Sequence, residues 1–104
     1  MKTLTIDQLK SCLDKKEDLF ILDVRYDEER RYGIISGDHH IVMDEIETRY
    51  TELPKDKKII VYCRSGNRSA YVASFLEQKG FNEVYNLEGG ILAWKKYDPS
   101  LEEY

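Results

Sequence analysis

A chain of 104 residues has room for one modest hydrophobic core, so any active site must share it. With 41% hydrophobic and 35% charged residues the composition excludes a disordered or membrane class, and the longest apolar runs are four or five residues; a bilayer span needs roughly 20. A net charge of -4 excludes general electrostatic attraction to nucleic acid or to an anionic membrane.

Cys12 and Cys63 form neither a CxxC pair nor a Cys/His cluster at zinc spacing, so no metal site is expected. After Met1-Lys2, the polar residues Asp7, Gln8 and Lys10 interrupt any apolar stretch before it reaches the ~7 residues of a signal-peptide core. The expected location is the cytoplasm, where both thiols stay reduced.

Thr5-Ile6-Asp7-Gln8 fits a capping box and leads into Ile6, Leu9 and Leu13 at helical spacing, which predicts a helix from about Ile6 to Lys15. Cys12 falls near its apolar face and reads as a small buried hydrophobe. Leu19-Phe20-Ile21-Leu22, followed by Asp23-Val24-Arg25, has the continuous apolar pattern of a strand buried on both faces of a parallel sheet. Ligands sit beyond the carboxyl ends of such strands, so Asp23 and Arg25 are expected on the rim of any site. One is expected to turn toward it and the other away.

Tyr26–Tyr32 predicts a short charged helix ended by Gly33, and Ile34 to Met43 brief extended pieces. Within these, His39 and His40 are consecutive and point opposite ways, which suits loop polar residues better than a shared metal ion. Asp44–Tyr50 fits a helix capped by Asp44. Ile59 to Tyr62 is a buried strand approached by the solvated Lys55, Lys57 and Lys58, Ala70–Lys79 a helix stopped by Gly80, Phe81 to Leu87 a last strand, and Ile91 to Trp94 a short helix. Residues 97–104 are acidic, contain Pro99 and are expected to fray. No repeat or linker divides residues 1–104, which read as a single domain. Strands alternating with helices predict a three-layer α/β/α fold with a mostly parallel sheet.

The chemistry concentrates where the strand Ile59-Ile60-Val61-Tyr62 ends in Cys63 and breaks into Arg64-Ser65-Gly66-Asn67-Arg68-Ser69 before a helix. Unpaired backbone amides at a helix start form a cradle for an anion, and Gly66 permits the tight turn. A helix N-terminus and adjacent cations lower a thiol from about 8.5 to roughly 3.5–7.5. Arg64 and Arg68 supply charge suited to an oxyanion, and Ser65, Asn67 and Ser69 supply hydrogen bonds. This pattern points to Cys63 as a nucleophile attacking an anionic substrate.

Val61 to Ala70 resembles the active-site loop of the rhodanese family of sulfurtransferases. The resemblance extends to Leu22-Asp23-Val24-Arg25 and to Val84-Tyr85-Asn86-Leu87-Glu88-Gly89-Gly90-Ile91-Leu92-Ala93-Trp94. It implies a single-domain rhodanese-like fold with five strands, Cys63 as the acceptor of a sulfane sulfur, a cradle from the backbone of Arg64–Ser69, and no cofactor. The implied partners are a small anionic sulfur donor such as thiosulfate and a thiol or cyanide acceptor. Gly33-Ile34-Ile35-Ser36-Gly37 departs from the usual Gly-His-Ile-Pro-Gly, and Tyr26-Asp27 stands where Thr-Pro is common. Two other readings stay open: a cysteine phosphatase or arsenate reductase of similar fold, which carries C-x5-R where this chain has C-x4-R, and a non-catalytic binding module.

Overall fold

The computed structural model describes residues 1–104. Its centre is a five-stranded, wholly parallel sheet of β1 (Lys2–Leu4), β2 (Leu19–Asp23), β3 (His39–His40), β4 (Lys58–Tyr62) and β5 (Val84–Leu87), in the order β1-β5-β4-β2-β3. The helices α1 (Ile6–Asp14), α2 (Ile46–Arg49), α3 (Asn67–Gln78) and α4 (Gly90–Trp94) cover both faces. This is the three-layer α/β/α arrangement around a parallel sheet that the sequence pattern predicts, with the five strands that the resemblance implies.

The period of two along the strands divides the core. Leu22, Val24, Ile59, Val61 and Cys63 meet Val72, Ala73 and Leu76 of α3 and Ile46 of α2. Ile21, Ile60 and Tyr62 meet Leu9 of α1 and Ile91 and Trp94 of α4. Burying each large apolar side chain stabilises the fold by roughly 1.5–3 kcal/mol, and β4, buried on both faces, anchors the two layers together. Cys63 follows β4 directly, at the carboxyl end of the sheet.

Helix α1 has its predicted cap: Gln8 N donates to Thr5 Oγ1 at 3.1 Å and Thr5 N to Gln8 Oε1 at 2.8 Å. Helix α3 starts three residues before the predicted Ala70, so the loop ahead of it is shorter. The expected helix Asp44–Tyr50 is instead a 3-10 turn at Met43–Glu45, one α-turn and another 3-10 turn at Tyr50–Glu52, with no side-chain cap from Asp44. Tyr26–Tyr32 is likewise a 3-10 helix over Asp27–Tyr32. Strand β1 has no periodic signal in three residues and exists through its pairing with β5.

The segment 97–104 does not fray. Leu101 is buried, its side chain filling the space where a Cβ on Gly33 would stand, and Glu102 N donates to Tyr32 O at 2.9 Å. Tyr104 stacks on Tyr32 with ring centroids 4.6 Å apart. The two apolar anchors outweigh the acidic composition on which the expectation of fraying rests. Replacing Leu101 with alanine is therefore expected to destabilise the domain by about 2–3 kcal/mol in urea unfolding. In the unsubstituted protein the Glu102 amide should be protected from hydrogen exchange; exchange at the random-coil rate would contradict this packing.

Candidate active site

Cys63 is 1% exposed, and Gly66, with φ of 110°, turns the chain beneath it into α3. Gly66 N donates to Cys63 Sγ at 3.1 Å and Ser69 N at 3.5 Å, while Ser69 Oγ lies 3.3 Å from the sulfur. The loop's amides thus face the sulfur, and its carbonyls point away from it. Ile91 N donates to Cys63 O at 3.0 Å, Leu92 N to Arg64 O at 3.1 Å, and Asn86 Nδ2 to Gly66 O at 3.1 Å. The start of α4 therefore grips the loop from outside, closely enough that a Cβ on Gly90 would stand 2.5 Å from Arg64 O and 2.6 Å from Cys63 O.

Burial pushes the Cys63 thiol up. The Ser69 hydroxyl and the amides of Ser69, Gly66 and Ser65 outweigh it, so the net displacement is below the ordinary thiol value. Ser69 serves both protonation states. Its hydroxyl donates to the sulfur of a thiolate, or it accepts from the S–H of a thiol and donates to Asn86 Oδ1. Asn86 orients both this hydroxyl and the Gly66 carbonyl. Sequence reasoning did not single it out as a site residue, because it arrives from β5.

The cations are arranged differently from the expectation that both arginines charge the cradle. Arg68 forms a bidentate pair with Glu29, at 2.6 and 2.9 Å, and its guanidinium also lies 5.7 Å from the Tyr26 ring. Glu29 further accepts from Tyr104 Oη at 2.7 Å and from Tyr26 N at 3.1 Å. Burial raises the Glu29 pKa, but Arg68, Tyr104 and the Tyr26 amide bring it down to about 2. Arg64 has no carboxylate partner; it is exposed, with its guanidinium 5.0 Å from the Tyr104 ring. Ser65 and Asn67 are exposed at the rim.

Asp23 and Arg25 do not divide between the site and its surroundings. Two residues apart on an extended chain, they project to the same side, opposite the Cys63 face, and pair with each other at 3.0 Å while fully buried. Arg25 also donates to Gly33 O at 2.8 Å, Glu29 O at 3.3 Å and Tyr104 Oη at 3.0 Å, which uses every N–H of its guanidinium. Their link to Cys63 runs through Glu29 and Arg68. The Ile34 and Ser36 departures lie on the same side: Ile34 and Ser36 are exposed, and Ile35 is buried with its amide on Tyr62 Oη at 3.2 Å.

Cys12 is buried on α1 and its thiol is pushed up, by burial and then by Glu17. Glu17 pairs with Lys58 at the start of β4, the end of the sheet opposite Cys63, so Cys12 takes no part in the site. His39 stacks on Phe20 at 4.0 Å, and His40 Nε2 meets Arg25 O at 2.6 Å. The largest cavity, about 390 Å³ beside Tyr26, His40 and Arg49, does not include Cys63.

A parallel α/β domain with a thiolate-favouring amide cradle at the end of its central strand is the class of protein that these features define. A family model for the rhodanese-like domain matches residues 5–97, and the chain belongs to that family. It is 40% identical over 95 residues to a putative sulfurtransferase of Bacillus subtilis, YtwF, covering 91% of each chain. It is 37% identical over 91 residues to a sulfurtransferase of Allochromatium vinosum, covering 88% of this chain and 85% of the relative. The crystal structure of a rhodanese-like domain protein from Staphylococcus aureus superimposes with a TM-score of 0.84 at 38% identity, over 90% of this chain and 91% of that one.

Ser69→Ala should raise the apparent pKa of Cys63, read as the pH dependence of iodoacetamide alkylation, while Ser65→Ala leaves it near that of the unsubstituted protein. Because the folded pKa is depressed, the thiolate contributes stability above the unfolded thiol value of about 8.5 and loses it as pH falls through the folded value. The stability difference between the protein and Cys63→Ser should therefore shift in favour of the cysteine form as pH rises through that window. Gly90→Ala is expected to cost about 2–3 kcal/mol and to raise the Cys63 pKa, since the new methyl displaces the loop carbonyls.

Proposed function

We propose that this member of the rhodanese-like sulfurtransferases carries a sulfane sulfur on Cys63, taking it from thiosulfate or a persulfide and passing it to a thiol or to cyanide. The observation that carries this reading is the pair of amides, from Gly66 and Ser69, directed at Cys63 Sγ, which stabilises an anionic sulfur without a neighbouring general base. The Cys63 thiolate attacks the outer sulfur of thiosulfate, the S–S bond breaks, sulfite leaves with its electron pair, and Cys63–S–S⁻ remains. An acceptor thiolate then attacks the terminal sulfur and regenerates Cys63–S⁻. With Cys63 only 1% exposed, a single protruding sulfur reaches it more readily than a substituted phosphate.

The placement of Arg68 supports sulfur transfer over phosphoryl transfer. In the phosphatase reading that arginine must face the anion, whereas here both of its terminal nitrogens are committed to Glu29. The four-residue spacing between Cys63 and Arg68 favours the same conclusion. The lowered Cys63 pKa weighs against an inert module.

Incubation with thiosulfate followed by intact-mass measurement should add one sulfur atom to the protein and none to Cys63→Ser. Equal labelling of both proteins, or cysteine-dependent hydrolysis of an aryl phosphate without labelling, would overturn the proposal.

A further inference from the structure

Charges around Cys63 are unequally compensated. The loop contains two arginines, but only Arg64 is without a carboxylate. Arg68 is held by a carboxylate that itself receives four hydrogen bonds: two from Arg68, one from Tyr104 Oη and one from Tyr26 N. Glu29 is thus fixed on both sides. Tyr104 is in turn held by Arg25 at 3.0 Å and by the stack on Tyr32, so the ion pair is supported from the opposite face of the sheet. A fork–fork pair of this kind cancels the guanidinium's charge and occupies the geometry it would use to bind an oxyanion.

We propose that Glu29 is a specificity-determining residue: by cancelling Arg68 it leaves Arg64 as the loop's one uncompensated cation, and so turns the site against a dianionic donor and toward a hydropersulfide. The inference rests on the sulfurtransferase reading. With thiosulfate, two negative charges approach the cradle and sulfite carries both away. With a hydropersulfide, Cys63–S⁻ attacks the outer sulfur of R–S–SH, the S–S bond breaks, RS⁻ leaves with one charge, and Cys63–S–SH remains. One free cation and a pair of neutral amide dipoles match the second case.

The test compares second-order rates of Cys63 sulfur loading, by intact mass, from thiosulfate and from 2-hydroxyethyl hydropersulfide, whose R group is uncharged. Glu29→Gln keeps the side-chain size but uncovers the Arg68 charge, because its amide offers one accepting oxygen where the carboxylate offers two. It should raise the thiosulfate-to-hydropersulfide rate ratio about tenfold at low salt and make the thiosulfate rate fall more steeply with ionic strength. Glu29→Asp, which keeps the charge, should leave the ratio within about twofold of the original. The neutral pair Glu29→Gln with Arg68→Met should return it there as well.

An unchanged ratio in a folded Glu29→Gln protein overturns the inference while leaving the sulfurtransferase reading intact. Failure of both donors to load Cys63 in the unsubstituted protein overturns that reading instead. Should Glu29→Gln not fold, the exposed Arg64→Met decides: loading from thiosulfate should fall about tenfold and loading from the hydropersulfide far less, because the only free cation is gone. Equal losses with the two donors would refute it.

Discussion

The candidate site depends on the direction in which the peptide groups between Cys63 and Ser69 point. Amides can converge on one sulfur only if the carbonyls of the same peptides are satisfied elsewhere, because a buried carbonyl without a donor costs about as much as a lost hydrogen bond. Here the donors come from outside the loop: the first turn of α4 takes the carbonyls of Cys63 and Arg64, and Asn86 takes that of Gly66. The close approach of α4 requires that position 90 have no side chain, and the left-handed turn at Gly66 requires a residue free of Cβ strain. Two glycines 24 positions apart thus serve one arrangement of backbone dipoles.

A second layer of order lies on the other face of the sheet. Asp23 and Arg25 are both fully buried, and removing two charges from water is expensive unless every donor and acceptor is matched. The match is complete for Arg25, and Arg30 adds a further contact to Asp23 at 2.8 Å. Such a network leaves a buried charge uncompensated if any one partner is removed. It sets the carboxyl end of β2, the Asp27–Tyr32 turn and the segment around Tyr104 in one relation, and so fixes where Glu29 stands. Glu29 carries that relation across to Arg68 at the start of α3.

How much of this was legible in the sequence follows from how local each feature is. The Cys63 loop was legible because strand end, turn glycine, cations and helix start are contiguous, and α1 because its capping box spans four residues. Glu29, Asn86 and Tyr104 were not, since each acts on a partner at least 17 positions away and none has a distinctive neighbourhood. The charge of Arg68 was visible, but its cancellation by a residue 39 positions earlier was not. The expected divergence of Asp23 and Arg25 failed on simple periodicity, because residues two apart on a strand share a face. Strand β1 escaped notice for a different reason: three residues cannot show a period, and only β5 gives them one.

The use of dipoles where a free arginine pair was expected has a consequence for the proposed cycle. A sulfur carrier must stabilise its thiolate enough to form, yet release the outer sulfur to the next thiol. A strong cation pointed into the cradle would hold the thiolate, the persulfide and a departing anion alike, and binding every state equally adds nothing to turnover. Amides within 3.5 Å of Sγ act at short range on the atom that is charged before the attack. Once the sulfur is added, negative charge moves one bond outward, away from those amides and toward the rim where Arg64 and solvent stand. In the proposed cycle the amides therefore act most strongly on the unloaded thiolate, and with Arg68 paired to Glu29 its pull on the departing sulfur is reduced.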